Sequence, residues 1–141
     1  MRTPEQIESM FPLSNRTAQR YPRLIESQLQ LVKRFAEIEP RGFSAGEPLF
    51  DTGECQVPAW FLLSGSLTLF VRDGFDNETT EQILECGQFT GELHALADRP
   101  TLGGAKAGPE GCTALPLHAA RLRALIVGSA ELGELIMRAF I

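Results

Sequence analysis

The chain has 141 residues, of which 43% are hydrophobic and 22% charged, so it is long and apolar enough to bury a core and is not disordered. Its formal net charge of -5 argues against a nucleic-acid interface made by this domain, because such interfaces need a positive surface. No apolar run is long enough for a signal peptide or a membrane span.

The first 40 residues have a helical pattern. Thr3 and Pro4 suit the start of a short helix, which Pro12 ends. A second helix is predicted over residues 26–36, because apolar residues recur there on one helical face. That face comprises Leu29, Val32, Phe35 and Ala36. We expect this N-terminal helical segment, residues 1–40, to cover an apolar surface.

Residues 41–117 consist of short β-type runs separated by turns that contain glycine. Glycine is favoured in tight turns because it adopts positive φ angles at little cost. Many short strands joined by such turns predict a β-roll, a sandwich or a barrel. Residues 60–63 and 67–71 are β-type runs on either side of Ser-Gly-Ser at 64–66, which predicts a hairpin there.

Helical spacing returns in residues 118–141. Leu122, Leu125 and Ile126 share one face of a predicted helix, and Gly128-Ser129 ends it and caps the next one. The apolar stripe of the second helix comprises Leu132, Leu135, Ile136, Ala139 and Phe140. Because this stripe runs to the last residue, we expect more protein to follow. Residues 1–141 are therefore predicted to form a single domain with a β-roll between two helical segments.

The residues that usually carry chemistry form no catalytic or metal-binding pattern. His94 and His118 are the only histidines, and their spacing does not suit a shared metal ion. No nucleophile has an obvious histidine base, so we expect no enzyme. Cys55, Cys86 and Cys112 are odd in number and far apart, which predicts reduced thiols in a cytoplasmic protein, with Cys112 the most buried.

Three blocks of the β-type region carry a resemblance to a known family. They read FSAGEPLFDTGE at 43–54, WFLLSGSL at 60–67 and GQFTGEL at 87–93. In this order they resemble the cyclic-nucleotide-binding domain family, which includes the catabolite activator protein and the regulatory subunits of protein kinase A. The resemblance covers residues 24–140. It implies a mainly β fold with flanking helices, a jelly-roll-like β-roll with N-terminal and C-terminal helices.

Two shorter segments resemble one variant of that family. QFTGEL at 88–93 and AELGELIMRAFI at 130–141 are most similar to the domain that is fused to a thioredoxin-reductase-like flavoprotein. This similarity implies an attached C-terminal domain.

The family resemblance also implies a ligand site. In the family, a Gly-Glu pair opens a short helix, where the glycine lets the backbone approach a phosphate and the glutamate accepts a ribose hydroxyl. Gly91 and Glu92 occupy these positions, and Leu93 continues the helix. A purely structural interpretation stays open, in which Gly91 only makes the turn and Glu92 only favours the helix N-terminus.

The family's phosphate-binding arginine is missing. It follows a proline, and with Pro100 as that proline the arginine position falls on Thr101 and the next, small residue on Leu102. Arg99 is nearby and either substitutes for the missing charge or is a solvated loop residue. We therefore expect a degenerate pocket that binds cyclic AMP or cyclic GMP weakly or not at all, and we expect Thr101→Arg to raise the affinity.

The implied function is that of a regulatory or sensor module without a resident cofactor. Its expected partners are a cyclic nucleotide or a related small anion and an attached domain or partner protein, with no membrane or nucleic acid. Dimerisation through the last helix is a further hypothesis. The alternative function is a ligand-free docking domain of a larger protein, such as a thioredoxin-reductase-like flavoprotein.

Overall fold

A computed structural model describes residues 20–139. Within this range, six strands and four helices follow one another as α1 (Glu26–Phe35), β1 (Arg41–Phe43), β2 (Pro48–Phe50), β3 (Ala59–Arg72), β4 (Glu78–Glu85), β5 (Phe89–Thr90), α2 (Glu92–Ala97), β6 (Gly104–Leu117), α3 (Ala119–Gly128) and α4 (Ala130–Arg138). This order matches the predicted sequence of helix, β-roll and helices. The helix predicted before Pro12 lies outside the described residues, as does Phe140.

The sheet is antiparallel and is built on two long strands. Its main order is β1-β6-β3-β4, while β2 pairs with β6 and β5 pairs with β3. Strands β3 and β6 each have 14 residues and pair along most of their length. Because both strands are irregular in the middle, the sheet curves into a roll. The fold class predicted from the sequence is confirmed.

The prediction of a hairpin at residues 64–66 is wrong. These residues lie inside β3, where the register with β6 shifts so that residues 108–111 lie opposite Ser66 alone. Gly65 has a φ of +77°, and a Cβ there would lie 2.2 Å from the carbonyl oxygen of Gly111. Gly65 therefore serves a bulge with a close strand approach instead of a chain reversal. The chain reverses at residues 73–77, where the Asp73 carboxylate accepts hydrogen bonds from the amides of Phe75 and Asn77.

The alternation of side chains along β3 creates two separate cores. Phe61 points to the helices and stacks on Phe89 with 5.1 Å between ring centroids. Trp60 and Leu62 point into the roll, where Trp60 meets Phe43 edge-on at 5.3 Å. We call the first cluster the helix-side core; it comprises Leu24, Leu29, Val32, Ala59, Phe61, Phe89, Ala95, Leu115, Leu117, Leu122, Leu125, Leu132 and Ile136. The second is the roll-interior core; it comprises Phe43, Phe50, Val57, Trp60, Leu62, Leu67, Leu69, Leu84, Ala105, Ala107, Cys112 and Ala114.

The helices cover the outer face of the roll as their apolar spacing predicted. Helix α1 buries Leu29 and Val32, and α3 buries Leu122 and Leu125. Ser129 begins α4, and its hydroxyl accepts a hydrogen bond from the amide of Leu132. The predicted break and recap at Gly128-Ser129 are confirmed.

Three further observations concern the exposure of the cysteines, the possible metal ligands and the length of the helices. Cys112 is buried, as predicted, while Cys55 and Cys86 are exposed. Within residues 20–139, no three His, Cys, Asp or Glu side chains are grouped so that they could hold a metal ion. Over the same residues, every helix is too short or too polar to cross a bilayer.

Candidate ligand-binding cavity

A cavity of about 280 Å³ lies between the sheet and helix α2. Phe50 of β2 and Leu69 of β3 extend into its wall from the roll-interior core. The N-terminal end of α2 and the start of β6 complete the wall, and Tyr21 contributes from the segment before α1. This volume is just below the range for small-molecule pockets, about 300–1,000 Å³.

Gly91 sets the geometry of the predicted site. It has a φ of +86° and precedes α2, and a Cβ at this position would lie 2.8 Å from the carbonyl oxygen of Pro58. Both the backbone angle and the space therefore require glycine. The first hydrogen bond of the helix runs from the amide of Ala95 to the carbonyl of Gly91. The amides of residues 92–94 therefore have no carbonyl acceptor within the helix. Gly91, Glu92 and Leu93 all line the cavity.

Glu92 is a buried carboxyl group in the cavity wall. Only 5% of its surface is exposed, and this burial raises the pKa of Glu92 from 4.5 to about 7. A hydrogen bond from its own amide and the charge of Arg20 lower that pKa and offset only part of the effect of burial. At neutral pH the group is thus present in both protonation states, and it can accept or donate a hydrogen bond.

The structure places Thr101 and Leu102 differently from the sequence prediction. Thr101 is 2% exposed, and its hydroxyl accepts a hydrogen bond from the amide of Glu54 at 3.0 Å and donates one to the carbonyl of Asp51 at 2.5 Å. It is absent from the cavity wall that the described residues form, whereas Leu102, 79% exposed, lines it. Of the two, Leu102 is therefore the residue that contributes to the cavity wall. Neither residue carries a charge.

The turn at residues 51–54 is held from two sides. Thr101 binds it through side chain and backbone, and Arg72 forms two hydrogen bonds of 2.9 Å with the Asp51 carboxylate. The Arg72 guanidinium lowers the pKa of Asp51 to about 2. This turn follows Phe50 directly and so fixes one wall of the cavity. An arginine at Thr101 would lose both hydroxyl contacts, which makes Thr101→Arg a poor test of the site.

Arg99 does not join the other candidates. It is exposed, its amide donates to the carbonyl of His94 at 3.2 Å, and it is not among the described residues that line the cavity. The cation in the wall is instead Arg20, which the sequence analysis missed. It also missed Tyr21, Glu81, His94, Gly103 and Gly104.

The sequence does carry a signal for Gly103 and Gly104 as wall residues, because two adjacent glycines leave space for a neighbouring strand. A Cβ on Gly104 would lie 2.2 Å from the Phe70 ring, and one on Gly103 would lie 2.4 Å from the Phe70 carbonyl oxygen. The pair therefore lets Phe70 of β3 pack against the start of β6 at the cavity wall. Arg20 and Tyr21, in contrast, have no local motif that marks them, since only the tertiary fold brings them to the cavity.

Neither a protein-family model nor a curated protein matches the chain. Solved structures do match it. The catabolite activator protein of Thermus thermophilus shares 22% identity at a TM-score of 0.66, over 86% of this chain and 54% of that one. The chain has the fold of cyclic-nucleotide-binding domains. It spans about half the length of that activator protein.

Two further structures have the same fold. One belongs to a cyclic-GMP-dependent signalling pathway that regulates bacterial phytopathogenesis, with 21% identity and a TM-score of 0.68 over 82% of this chain and 89% of that one. The other is the EAL enzyme Bd1971 in its cAMP-bound form, with 15% identity and a TM-score of 0.60 over 72% of this chain and 27% of that one. The β-roll thus occurs in regulators and as part of a larger enzyme.

Proposed function

We propose that this chain is a regulatory domain, not an enzyme, whose cavity binds cyclic nucleotides weakly or not at all. The observation that carries the proposal is the charge of the cavity wall. Among the described residues, the wall holds the carboxyl groups of Glu81 and Glu92 but only one guanidinium, that of Arg20. A cyclic nucleotide brings a negative charge to a wall in which Glu92 is already partly ionised at neutral pH.

The shape of the cavity supports a small ligand, and its charge opposes tight binding of an anion. Gly91 keeps the backbone beside α2 free of a side chain, which is the feature that phosphate sites need. The same wall carries the apolar Leu102 instead of a second cation that could neutralise a phosphate. Loss of one charge-assisted hydrogen bond costs about 1.5–3 kcal/mol, which is about one to two orders of magnitude in affinity.

The ligand class we propose is a cyclic nucleotide or a related small anion. Support comes from the neighbours of the same fold, one of which is described in a cAMP-bound form. The proposal is tested by calorimetric titration of the full chain with cyclic AMP and with cyclic GMP. We expect dissociation constants weaker than micromolar for both nucleotides. Sub-micromolar binding of either one would refute the degenerate pocket.

Restoring the missing charge gives a sharper test. Leu102→Arg places a guanidinium at the wall from a side chain that is 79% exposed, so the fold is preserved. We expect cyclic AMP affinity to rise at least about tenfold, because one charge-assisted contact is gained. The matched control is Val127→Arg, which adds the same charge at an 87% exposed position of α3 away from the cavity. Equal effects of the two substitutions would show that only net charge matters.

A second candidate is a ligand-free docking domain of a larger protein, such as a thioredoxin-reductase-like flavoprotein. The exposed apolar side chains of the C-terminal helices favour it, since Val127 is 87% and Met137 is 49% exposed. An attached domain, a partner protein or a second copy of the chain could cover them. A docking domain predicts no saturable response of Trp60 fluorescence to either nucleotide, before or after Leu102→Arg.

A further inference from the structure

Arg20 lies at the cavity and at the end of the last helix at once. It lines the cavity, and its Nη1 donates a hydrogen bond of 3.1 Å to the carbonyl oxygen of Ala139, the C-cap of α4. Its guanidinium also lies 5.4 Å from the centroid of the Tyr21 ring. One side chain thus joins two parts of the fold that are 119 residues apart in sequence.

The charge of Arg20 acts on the interior of the cavity. It lowers the pKa of both Glu92 and His94, although burial is the larger influence on each group. Both groups line the cavity, so an anion placed between them and Arg20 would feel the same positive charge. Arg20 is the single lysine or arginine in the wall formed by residues 20–139.

Arg20 can hold an anion without leaving α4. A guanidinium has five N–H donors in a planar arrangement, and the bond to Ala139 uses one of them. Charge-assisted hydrogen bonds to an anion are about twice as strong as neutral ones, and arginine commonly forms two in parallel. An anion at the cavity would therefore order a side chain that already contacts the end of α4.

Helix α4 depends on such contacts at both of its ends. Ser129 caps its start, and its buried face presents Leu132 and Ile136 to the helix-side core. At its other end, the carbonyl of the C-cap residue Ala139 accepts the hydrogen bond from Arg20. A cation at the end of a helix also stabilises the negative end of the helix dipole.

We propose that Arg20 is the anion-binding residue of this cavity and couples its occupation to the docking of α4. The inference rests on the proposed function, since it assumes that a small anion enters the cavity. Because coupling between two equilibria is reciprocal, an anion that orders Arg20 stabilises the docked end of α4, and a docked α4 strengthens anion binding. The C-terminal helix thereby reports the state of the cavity.

The experiment compares the full chain with Arg20→Gln and Arg20→Lys. The probes are cyclic AMP at millimolar concentration and adenosine, which has the same base and sugar without the charge. Affinity is measured by NMR titration, and docking of α4 by amide hydrogen exchange with α1 as internal reference. Arg99→Gln is the matched control, because it removes an arginine that does not line the cavity.

We expect cyclic AMP to slow exchange in α4 but not in α1 of the unmodified chain and of Arg99→Gln. Arg20→Gln should lose at least about tenfold in cyclic AMP affinity, together with the protection of α4. Arg20→Lys should recover part of the affinity, because the charge returns without the planar set of donors. Adenosine should bind equally to all four chains and leave α4 exchange unchanged.

Three outcomes overturn the inference. They are equal cyclic AMP affinity in Arg20→Gln and the unmodified chain, protection of α4 that survives Arg20→Gln, and no detectable cyclic AMP binding at millimolar concentration. The last outcome leaves the proposed degenerate pocket intact. Sub-micromolar binding that still depends on Arg20 would instead refute the degenerate pocket and keep the role of Arg20.

Discussion

The two cores of the molecule are built from the same strands but differ in how completely they are filled. The helix-side core is apolar throughout, and Phe61, Leu122, Leu125, Leu132 and Ile136 in it have no exposed surface. The roll-interior core contains Trp60, whose indole N–H is buried without an acceptor among the described residues, and it opens to the cavity at Phe50 and Leu69. The candidate site thus lies where packing is incomplete.

The largest expected effect tests this difference with a matched pair of leucines on strands. Leu115 of β6 is 2% exposed in the helix-side core, whereas Leu69 of β3 is 7% exposed beside the cavity. We expect Leu115→Ala to lower the free energy of unfolding by about 4 kcal/mol and Leu69→Ala by about 2 kcal/mol. The loss is smaller for Leu69 because its side chain already lacks neighbours on the cavity side.

Urea denaturation of both variants measures the two losses. Equal losses would contradict the comparison, because they would mean that the wall of the cavity is packed as tightly as the helix-side core.

The next effect concerns the buried carboxyl of Glu92. Its pKa is about 7 in the folded chain and 4.5 in the unfolded chain, so folding favours the protonated form. The free energy of unfolding is therefore highest below about pH 4.5 and decreases as the pH rises through about 7. Glu92→Gln removes this loss. We expect the variant to be more stable than the unmodified chain at pH 8, by on the order of 3 kcal/mol, and about equally stable at pH 4.

Urea denaturation as a function of pH checks this sign. Glu81→Gln is the control, because it removes an exposed carboxyl from the same cavity wall and should change stability much less. A difference between Glu92→Gln and the unmodified chain that does not vary with pH would contradict the burial of the charge.

The smallest effect concerns Trp60. Trp60→Phe removes the indole N–H that lacks an acceptor, which relieves about 1–3 kcal/mol of desolvation, while the smaller ring costs a similar amount of packing. We expect the melting temperature to change by only a few degrees. A large decrease would mean that the indole N–H forms a hydrogen bond in the folded protein.

The helices were predictable from sequence because their apolar residues repeat at helical spacing. The mistaken hairpin shows the limit of that approach. A glycine with positive φ suits a turn and a bulge equally well, and at Gly65 the choice depends on Gly111, which is 46 positions away in the chain. No local pattern shows which partner strand will lie beside Gly65.

The candidate site, too, was only partly predictable from the sequence. Gly91 and Glu92 are adjacent and form a recognisable motif, and both line the cavity. The sequence analysis assigned the arginine position to Thr101, whereas Leu102 is the residue that lines the wall. The hydrogen bonds of Thr101 to the 51–54 turn cannot be inferred from spacing. Arg20 was missed because it reaches the cavity from a segment that the motif does not include.

The hydrogen bond between Arg20 and Ala139 has a consequence for how the fold can be rewired. Residues 20 and 139, the two ends of the described part of the chain, lie within the reach of one arginine side chain. Folds with adjacent ends accept circular permutation and insertion into the loop of a host protein, because a short linker closes the gap. The exposed tip at Gly74 and Phe75 offers the new opening, and the cavity would then keep all of its walls.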